Sequence, residues 1–336
     1  MFLAATYGLF EGSYRFFKSQ VLDKAEARLT LYINAVEAEL ENFAHLPFLL
    51  SLDPVVTRTL AGSDPEVLNK RLARIAQSAG VDAIYLMDAN GLTIASSNAR
   101  TANSFVGLKY GYRPYFQAAQ RGELGEFYGI GATTGIPGYF YAMAVRVPGG
   151  GPTGVIAIKL DLSGLQKAWQ ASGERFILSN ADGIVLLASN PDWRYRVLEP
   201  LGPELRGQLL QTRQFADEPL SPLDWAPDQA TQTVAFEGET FLYLRSGDLP
   251  NSWALHFLVP NDEAITRAWL TTGVFVLFAG TLLFAWQLRR SRLIRAELNR
   301  SAAEESPLRA ANTRLEIEIE ERRAAQASLQ KTFRWG

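Results

Sequence analysis

The sequence predicts an α+β architecture, built twice in tandem behind a long N-terminal helix and followed by a membrane-spanning helix. Three observations carry this. An internal repeat relates Ile84-Tyr-Leu-Met-Asp-Ala-Asn-Gly-Leu-Thr-Ile-Ala-Ser-Ser-Asn98 to Phe176-Ile-Leu-Ser-Asn-Ala-Asp-Gly-Ile-Val-Leu-Leu-Ala-Ser-Asn190. Each copy is followed, after a helical or irregular insertion, by further strand patterns joined as hairpins, with no βαβ alternation. Finally, Ala268 to Leu288 carries no charged side chain, which is the length a helix needs to cross roughly 30 Å of hydrocarbon.

Taken in order, residues 1–10 are apolar, but Glu11 and Arg15 cut the run short. Ten helical residues span only about 15 Å, and neither a basic leader nor a small-residue cleavage site is evident. Residues 1–17 therefore read as the remnant of a first membrane helix. Residues 18–50 read as one long stalk helix, because Val21, Ala25, Leu29, Tyr32, Ile33, Val36, Leu40 and Phe43 recur at three- and four-residue steps. Asp53-Pro54 breaks that pattern, and a second helix is expected over 65–78 after a Ser63-Asp64 cap. In each repeat a glycine, Gly91 or Gly183, supplies the positive φ that a hairpin turn requires. Strands are expected over 139–147 and 153–161, joined at 148–151, and then over 231–236, 240–246 and 252–259. The expected domains are 81–170 and 171–262, followed by the membrane helix over 266–288 and a cytoplasmic segment over 289–336.

Composition excludes several function classes. Across 336 residues, 47% hydrophobic and 20% charged side chains leave enough apolar material for sizeable cores. A net charge of -2 gives no electrostatic case for nucleic-acid binding. Cysteine is absent, which removes disulfides, thiolate metal sites and a cysteine nucleophile. His45 and His256 are the sole histidines, so histidine chemistry has little room, and no metal site is expected.

Orientation follows from charge. Arg289, Arg290, Arg292, Arg295 and Arg300 face a single Glu297 after the apolar run, whereas Asp262, Glu263 and Arg267 precede it. The positive-inside rule places the C-terminal side in the cytoplasm and residues 12–265 outside. A buried core helix is the alternative to a membrane span.

The chemistry of the first repeat concentrates on two cations. Arg113 precedes Pro114 and is ringed by Tyr110, Tyr112, Tyr115 and Phe116; a guanidinium among aromatic rings offers a planar fork to a carboxylate. Thr133 and Thr134 sit in a Gly-rich turn, where hydroxyls and N–H groups can converge on an anion. In Val155-Ile-Ala-Ile-Lys-Leu-Asp161 the period of two puts Val155, Ala157, Lys159 and Asp161 on one face, and a lysine in such a strand needs a partner or solvent. Pairing of Lys159 with Asp161, or snorkelling, is the plainer alternative, as is stacking of a surface Arg113 on tyrosine. Tyr139 and Tyr141 belong to the core, the rim or the ligand contacts. Two cations of different geometry with hydroxyls between them suit a small dianion. In the second repeat, Trp193, Arg194 and Arg196 form a basic-aromatic loop, and His256 reads as a satisfied structural histidine.

Four segments together carry a family resemblance: Tyr112-Arg-Pro-Tyr-Phe116, Gly131-Ala-Thr-Thr-Gly-Ile-Pro-Gly-Tyr-Phe-Tyr141, Gly154-Val-Ile-Ala-Ile-Lys-Leu-Asp-Leu162 and Pro191-Asp-Trp-Arg-Tyr-Arg-Val-Leu198. With tandem sheets behind a long helix, they resemble the double Cache, PAS-like periplasmic sensors of four-carbon-dicarboxylate histidine kinases, over about residues 20–262. The resemblance implies a binding site in the membrane-distal domain, comprising Tyr110, Arg113, Tyr115, Thr133, Thr134, Tyr139, Tyr141 and Lys159, with Arg113 and Lys159 on the two ligand carboxylates. Amino-acid-binding receptors of this fold instead place an aspartate in the strand region of Lys159; Asp161 restores that pattern only if it faces the pocket. The resemblance further implies a succinate, fumarate or malate ligand, a homodimer in the lipid of a bacterial inner membrane, and a response regulator reached through a kinase core.

No histidine follows His256 and no Gly-x-Gly follows Arg289. The chain is therefore expected to be a receptor portion and not an enzyme, without cofactor of its own; ATP and Mg belong to the kinase domain that it lacks. Ser306-Pro307 reads as the start of a last helix, with Leu308, Leu315 and Leu329 on a heptad spacing and Ile319 beside them. A solvated charged helix is the alternative. A chemoreceptor or cyclic-dinucleotide enzyme carrying the same sensor, tuned to an amino acid or another carboxylate, is the second functional expectation.

Overall fold

The computed structural model describes residues 2–146, 152–247 and 249–332. Residues 16–264 form one compact unit and residues 1–15 with 265–336 another. The chain opens with α1 (Phe2–Ala44), a single unbroken helix. It buries Val21, Ala25, Leu29, Val36 and Leu40, the stripe that the spacing predicts. The helix stops at Ala44, however, and not at residue 50. Pro47 has no N–H to give the carbonyl four residues back and its ring crowds that carbonyl, so the chain turns at His45 and restarts as the short α2 (Leu46–Ser51). Asp53 then does more than break a pattern: its carboxylate accepts from the Val55 N–H at 2.8 Å and caps α3 (Pro54–Leu60). Asp64 caps α4 (Pro65–Ala79) in the same way, through the Glu66 N–H at 2.9 Å, and Gly80 closes it at φ 73°.

Two antiparallel sheets follow. The first comprises β1 (Ala83–Asp88), β2 (Thr93–Ser96), β3 (Gly125–Ile130), β4 (Pro137–Arg146) and β5 (Pro152–Leu160), in the order β2-β1-β5-β4-β3. Helix α5 (Pro114–Gln120) packs on β3, β4 and β5. After α6 (Ser163–Ser172) the second sheet comprises β6 (Arg175–Ser179), β7 (Val185–Ala188), β8 (Trp225–Asp228), β9 (Thr233–Phe236), β10 (Glu239–Arg245) and β11 (Ala254–Pro260). Its order is β7-β6-β11-β10-β9-β8. The order of the first five strands reproduces the first sheet, so the sequence repeat is a structural one. Helix α7 (Pro203–Thr212) lies in the insertion between β7 and β8. Strands β3 and β8 fall where helical or irregular insertions were expected, and the junction expected at 148–151 lies outside the described residues.

The repeated turns show why their residue types recur. The Asp88 carboxylate accepts from Asn90 N–H and Leu92 N–H, both at 2.8 Å. The Asn180 amide oxygen accepts from Asp182 N–H at 3.1 Å and Ile184 N–H at 2.8 Å. These are Asx turns, which only a short side chain with an oxygen at that position can close. Gly91 and Gly183 stand at φ 77° and 72°.

The chain ends in α8 (Asp262–Thr332). Its stretch Asp262–Arg300 is, among the described residues, the one helical segment long and apolar enough to cross a membrane. In this unit the Phe10 and Trp269 rings meet at 4.6 Å. Pro307 lies inside α8, not at the start of a new helix. One missing N–H is tolerated there because Ala, Leu, Arg and Glu on both sides favour helix strongly. Leu308, Leu315 and Ile319 are exposed on this helix, as a seam awaiting a partner or a solvated face would be.

Candidate functional site

Strand register builds the site. Lys159 in β5 stands opposite Ala83 in β1 and Phe140 in β4. Alternation along the strands therefore gathers Lys159, Ala157, Val155, Tyr85 and Phe140 on one face. On that face the side chains of Tyr85, Phe105, Tyr110, Arg113, Tyr115, Thr133, Phe140 and Lys159 line a small, partly open pocket with a cavity volume of about 10 Å³. That is room for about one water, so a larger guest requires the surrounding side chains to part. Aromatic rings wall it. Tyr85 meets Phe105 edge-on at 5.3 Å, and Tyr115 stacks on Phe140 at 5.2 Å. The Tyr85 and Tyr115 hydroxyls share a hydrogen bond at 2.7 Å, and the Tyr110 and Thr133 hydroxyls share one at 2.6 Å. Burial pushes the Tyr85, Tyr110 and Tyr115 phenols above their ordinary value, so all three remain neutral hydrogen-bonding groups at neutral pH.

Arg113 is held by the backbone that Pro114 imposes. Its φ of -76° and ψ of 139° are the extended geometry favoured before proline, and they turn the side chain inward, where it is 2% exposed. The guanidinium lies over the Tyr112 and Phe127 rings at 5.3 and 5.5 Å. It donates to the carbonyls of Ile130 (2.9 Å), Arg213 (3.0 Å) and Thr212 (3.4 Å). Among the described residues no carboxylate is paired with it. Arg113 is thus a buried cation compensated by main-chain dipoles and aromatic faces; it does stack on a tyrosine, but in the interior and not at the surface considered from sequence.

Lys159 is fully buried. Its ammonium donates to the Asp82 carboxylate at 2.5 Å and to the Thr134 hydroxyl at 3.4 Å. Asp161 is not its partner. That carboxylate accepts instead from the Ser163 N–H and hydroxyl, both at 2.8 Å, at the start of α6, because the strand ends at Leu160 and Asp161 no longer follows its alternation.

Six of the eight residues expected at the site come together here, with Thr134 reaching it through Lys159. Tyr139 and Tyr141 do not. They pair with Leu160 and Ile158 and so point from the opposite face of the sheet. The Tyr139 hydroxyl takes a hydrogen bond from the Asn251 amide and its ring meets Trp253 at 5.4 Å. The Tyr141 hydroxyl donates to the Leu40 carbonyl at 3.0 Å, fastening α1 to the sheet. Sequence reasoning missed Tyr85, Phe105, Phe140 and Asp82. Tyr85 and Phe140 share Lys159's face only through a register that no local pattern reveals.

A strap after α7 ties this site to the second repeat. Gln214 accepts from the Ile130 N–H at 2.8 Å through its carbonyl, and its side-chain amide donates to the Tyr128 carbonyl at 2.9 Å. Gly129 makes room, since a Cβ there would lie 2.9 Å from the Gln214 carbonyl oxygen. One residue on, Phe215 packs against Tyr195 with ring centroids 5.8 Å apart.

On the matching face of the second sheet the chemistry differs: a cavity there is lined by Ser179, Asp182, Tyr243, Arg245 and His256, and no lysine stands where Lys159 does. Leu258, opposite Arg175 and Tyr243, occupies the place of Lys159, and Trp193, Phe236 and Val234 fill the space around it. The Trp193 indole donates to Glu237 at 3.0 Å, and Arg196 donates to the Pro222 carbonyl at 2.6 Å. His256 is 4% exposed, with its two ring nitrogens bonded to the Ser179 hydroxyl (2.8 Å) and the Tyr243 hydroxyl (2.7 Å). Burial, aided by the Arg245 charge, lowers its pKa to about 3. It is a neutral structural histidine.

No protein-family model matches the chain. The C4-dicarboxylate transport sensor protein DctB of Rhizobium meliloti is 32% identical over 327 residues, covering 90% of this chain and 52% of the relative. The protein of the same name from Pseudomonas aeruginosa is 30% identical over 335 residues, covering 94% of this chain and 53% of the relative. The chain thus spans about half the length of the curated relatives it matches. Among solved structures, the histidine kinase DctB sensor domain of V. cholerae matches with a TM-score of 0.67 at 25% identity, over 72% of this chain and 98% of that one. The ligand-binding domain of the Pseudomonas fluorescens chemoreceptor CtaA, in complex with L-leucine, shares the fold at a TM-score of 0.50 and 20% identity, over 72% and 96% of the two chains. The chain is a homologue of the sensor portion of the DctB sensor proteins, built on the two-sheet Cache-like fold that its sequence repeat encodes.

Proposed function

We propose that this chain is the extracytoplasmic sensor, membrane helix and first cytoplasmic segment of a two-component receptor, and that its first sheet binds a small C4-dicarboxylate. One observation carries the reading: two buried cations from different elements, Arg113 and Lys159, meet at one small pocket, and the hydrogen-bond partners of Arg113 are all carbonyl oxygens. A buried charge without a counter-ion is costly, and a ligand carboxylate supplies one, with a bidentate geometry that a guanidinium matches. Lys159 takes the second carboxylate. The names of the two relatives agree with this ligand class. In this reading residues 81–170 are the ligand-binding domain and 171–262 transmit. The apolar segment of α8 crosses the inner membrane with the Arg289–Arg300 cluster on the cytoplasmic side. α1 and α8 pair in a homodimer, and a kinase core in the full-length receptor acts on a response regulator.

A second reading is favoured by Asp82. A carboxylate beside Lys159 also suits a ligand ammonium, so an amino acid could place its carboxylate on Arg113 and its amine at Asp82. Calorimetric titration of the full chain in detergent distinguishes the two. Succinate, fumarate or malate should bind far more tightly than butyrate or any amino acid. Arg113→Ala and Lys159→Met should each weaken succinate by roughly thirty-fold or more. Tight binding of an amino acid, indifferent to Lys159→Met, would promote the second reading; equal binding of butyrate and succinate would overturn the first.

A further inference from the structure

The partner of Lys159 has a consequence of its own for which ligands the cavity accepts. Asp82 directly precedes β1, and its N–H donates to the Lys159 carbonyl at 3.0 Å. The main chain therefore holds the two residues side by side whatever their side chains do. The aliphatic stem of Lys159 is fixed as well. A Cβ on Gly138 would lie 2.8 Å from Lys159 Cε and 3.0 Å from its Cγ, so the lysine runs along bare backbone and has no room to withdraw. The two partners differ in exposure: the Lys159 side chain is completely buried, while that of Asp82 keeps 35% of its surface in solvent. The ammonium is thus captive and the carboxylate is free to swing out. Of the three ammonium donors, Asp82 and Thr134 occupy two.

We propose that Asp82 is a specificity-determining residue of this cavity: a resident counter-ion that a ligand's second carboxylate has to crowd out. The proposal rests on the dicarboxylate reading above. Two acceptors on one ammonium lie roughly 4.5–5 Å apart, and two carboxylates at that distance in a partly buried site repel each other strongly. A monoanion anchored on Arg113 leaves the Lys159–Asp82 pair intact and feels little of this. A dianion that reaches Lys159 meets the repulsion in full and drives Asp82 toward water. Asp82 therefore holds down the affinity for dicarboxylates specifically, while it stabilises the ligand-free state by compensating a buried charge.

The test compares the full chain with its Asp82→Asn variant by calorimetry, using succinate and butyrate. The amide keeps the size and the acceptor oxygen and removes only the charge. Succinate affinity should rise by roughly tenfold or more while butyrate affinity stays within about twofold. The unmodified chain supplies a second measurement should the variant fold poorly. Carbodiimide labelling of the Asp82 carboxylate, followed by mass spectrometry, should increase when succinate is saturating and not when butyrate is present. A succinate affinity that is unchanged or weaker in Asp82→Asn, or labelling of Asp82 indifferent to succinate, would overturn the proposal alone. Failure of the wild-type chain to bind any dicarboxylate would overturn the ligand reading and the proposal with it.

Discussion

Lys159→Met separates binding from folding. The lysine side chain is wholly buried, and its ammonium is satisfied by Asp82 and Thr134. Replacing a buried ion pair by a well-packed apolar side chain is often neutral or stabilising by about 1–4 kcal/mol, whereas leaving one charge buried without its partner is destabilising. Here the remaining charge is not trapped, because the Asp82 side chain is one-third exposed and can be hydrated. Methionine follows the unbranched course of the lysine stem past Gly131 and Gly138 and fills irregular space readily. The ligand-free protein should accordingly be unchanged or more stable by about 2 kcal/mol, which raises the thermal midpoint by at most roughly 4–8 °C for a unit of this size. Circular dichroism of the full chain in detergent, with and without succinate, reads both properties. The wild-type midpoint should rise in succinate at one hundred times its Kd, equivalent to about 2.7 kcal/mol, and that of Lys159→Met by no more than about 0.9 kcal/mol for a thirty-fold loss. A variant destabilised by several kcal/mol, or one that keeps the full wild-type succinate shift, would refute the assignment of Lys159 as a captive binding cation.

The two repeated turns give a matched pair. Gly91→Ala and Gly183→Ala each meet the left-handed backbone penalty of roughly 1–2 kcal/mol. Only at Gly91 would the Cβ also lie 2.4 Å from the Gly111 backbone, against 3.6 Å from Leu198 Cβ at Gly183. Denaturant unfolding should show Gly91→Ala the more destabilising by a further 1–3 kcal/mol or so. His256 predicts a pH dependence. Its folded pKa, about 3, lies below its ordinary value of 6.5, so the unfolded chain binds the proton first as pH falls. Stability from this residue is complete above about pH 6.5 and declines by roughly 1.4 kcal/mol per unit toward pH 3. His256→Gln should flatten that part of the profile in pH-dependent thermal unfolding; an identical slope in the variant would contradict the buried neutral histidine. The strap predicts that Gln214→Ala, which removes the side-chain bond to the Tyr128 carbonyl and leaves the main-chain carbonyl in place, loosens the strap and lowers the amide hydrogen-exchange protection of Ile130, whose N–H that carbonyl holds at 2.8 Å.

Much of the fold was legible because it is written in local chemistry. The stripe from Val21 to Leu40, the Asp64 cap and the paired Asx turns at Asp88 and Asn180 each act within a few residues. What escaped was set elsewhere. Strand β3 contains Gly125 and Gly129, which weaken a strand pattern and are there because the Tyr115 and Gln214 carbonyls approach closely. Strand β8 contains Pro227, tolerable only because β8 is the edge of its sheet. At the site, Arg113 and Lys159 stood out as cations in aromatic and apolar surroundings, which is a local anomaly. Tyr139 and Tyr141 were assigned to the cavity and face away, since strand face depends on register with β5. Asp82 and the strap could not be read at all: the bond from Lys159 to Asp82 spans 77 residues and that from Arg113 to the Arg213 carbonyl spans 100. Such pairings exist only once distant strands and loops have come together.

A crystal structure of the chain grown with succinate tests the central claim most directly. The account predicts one succinate inside the cavity of the first sheet, one carboxylate in bidentate contact with the Arg113 guanidinium and the other on the Lys159 ammonium. Succinate seated on the second sheet near His256, or elsewhere with Arg113 still bonded only to the carbonyls of Ile130, Thr212 and Arg213, would contradict it.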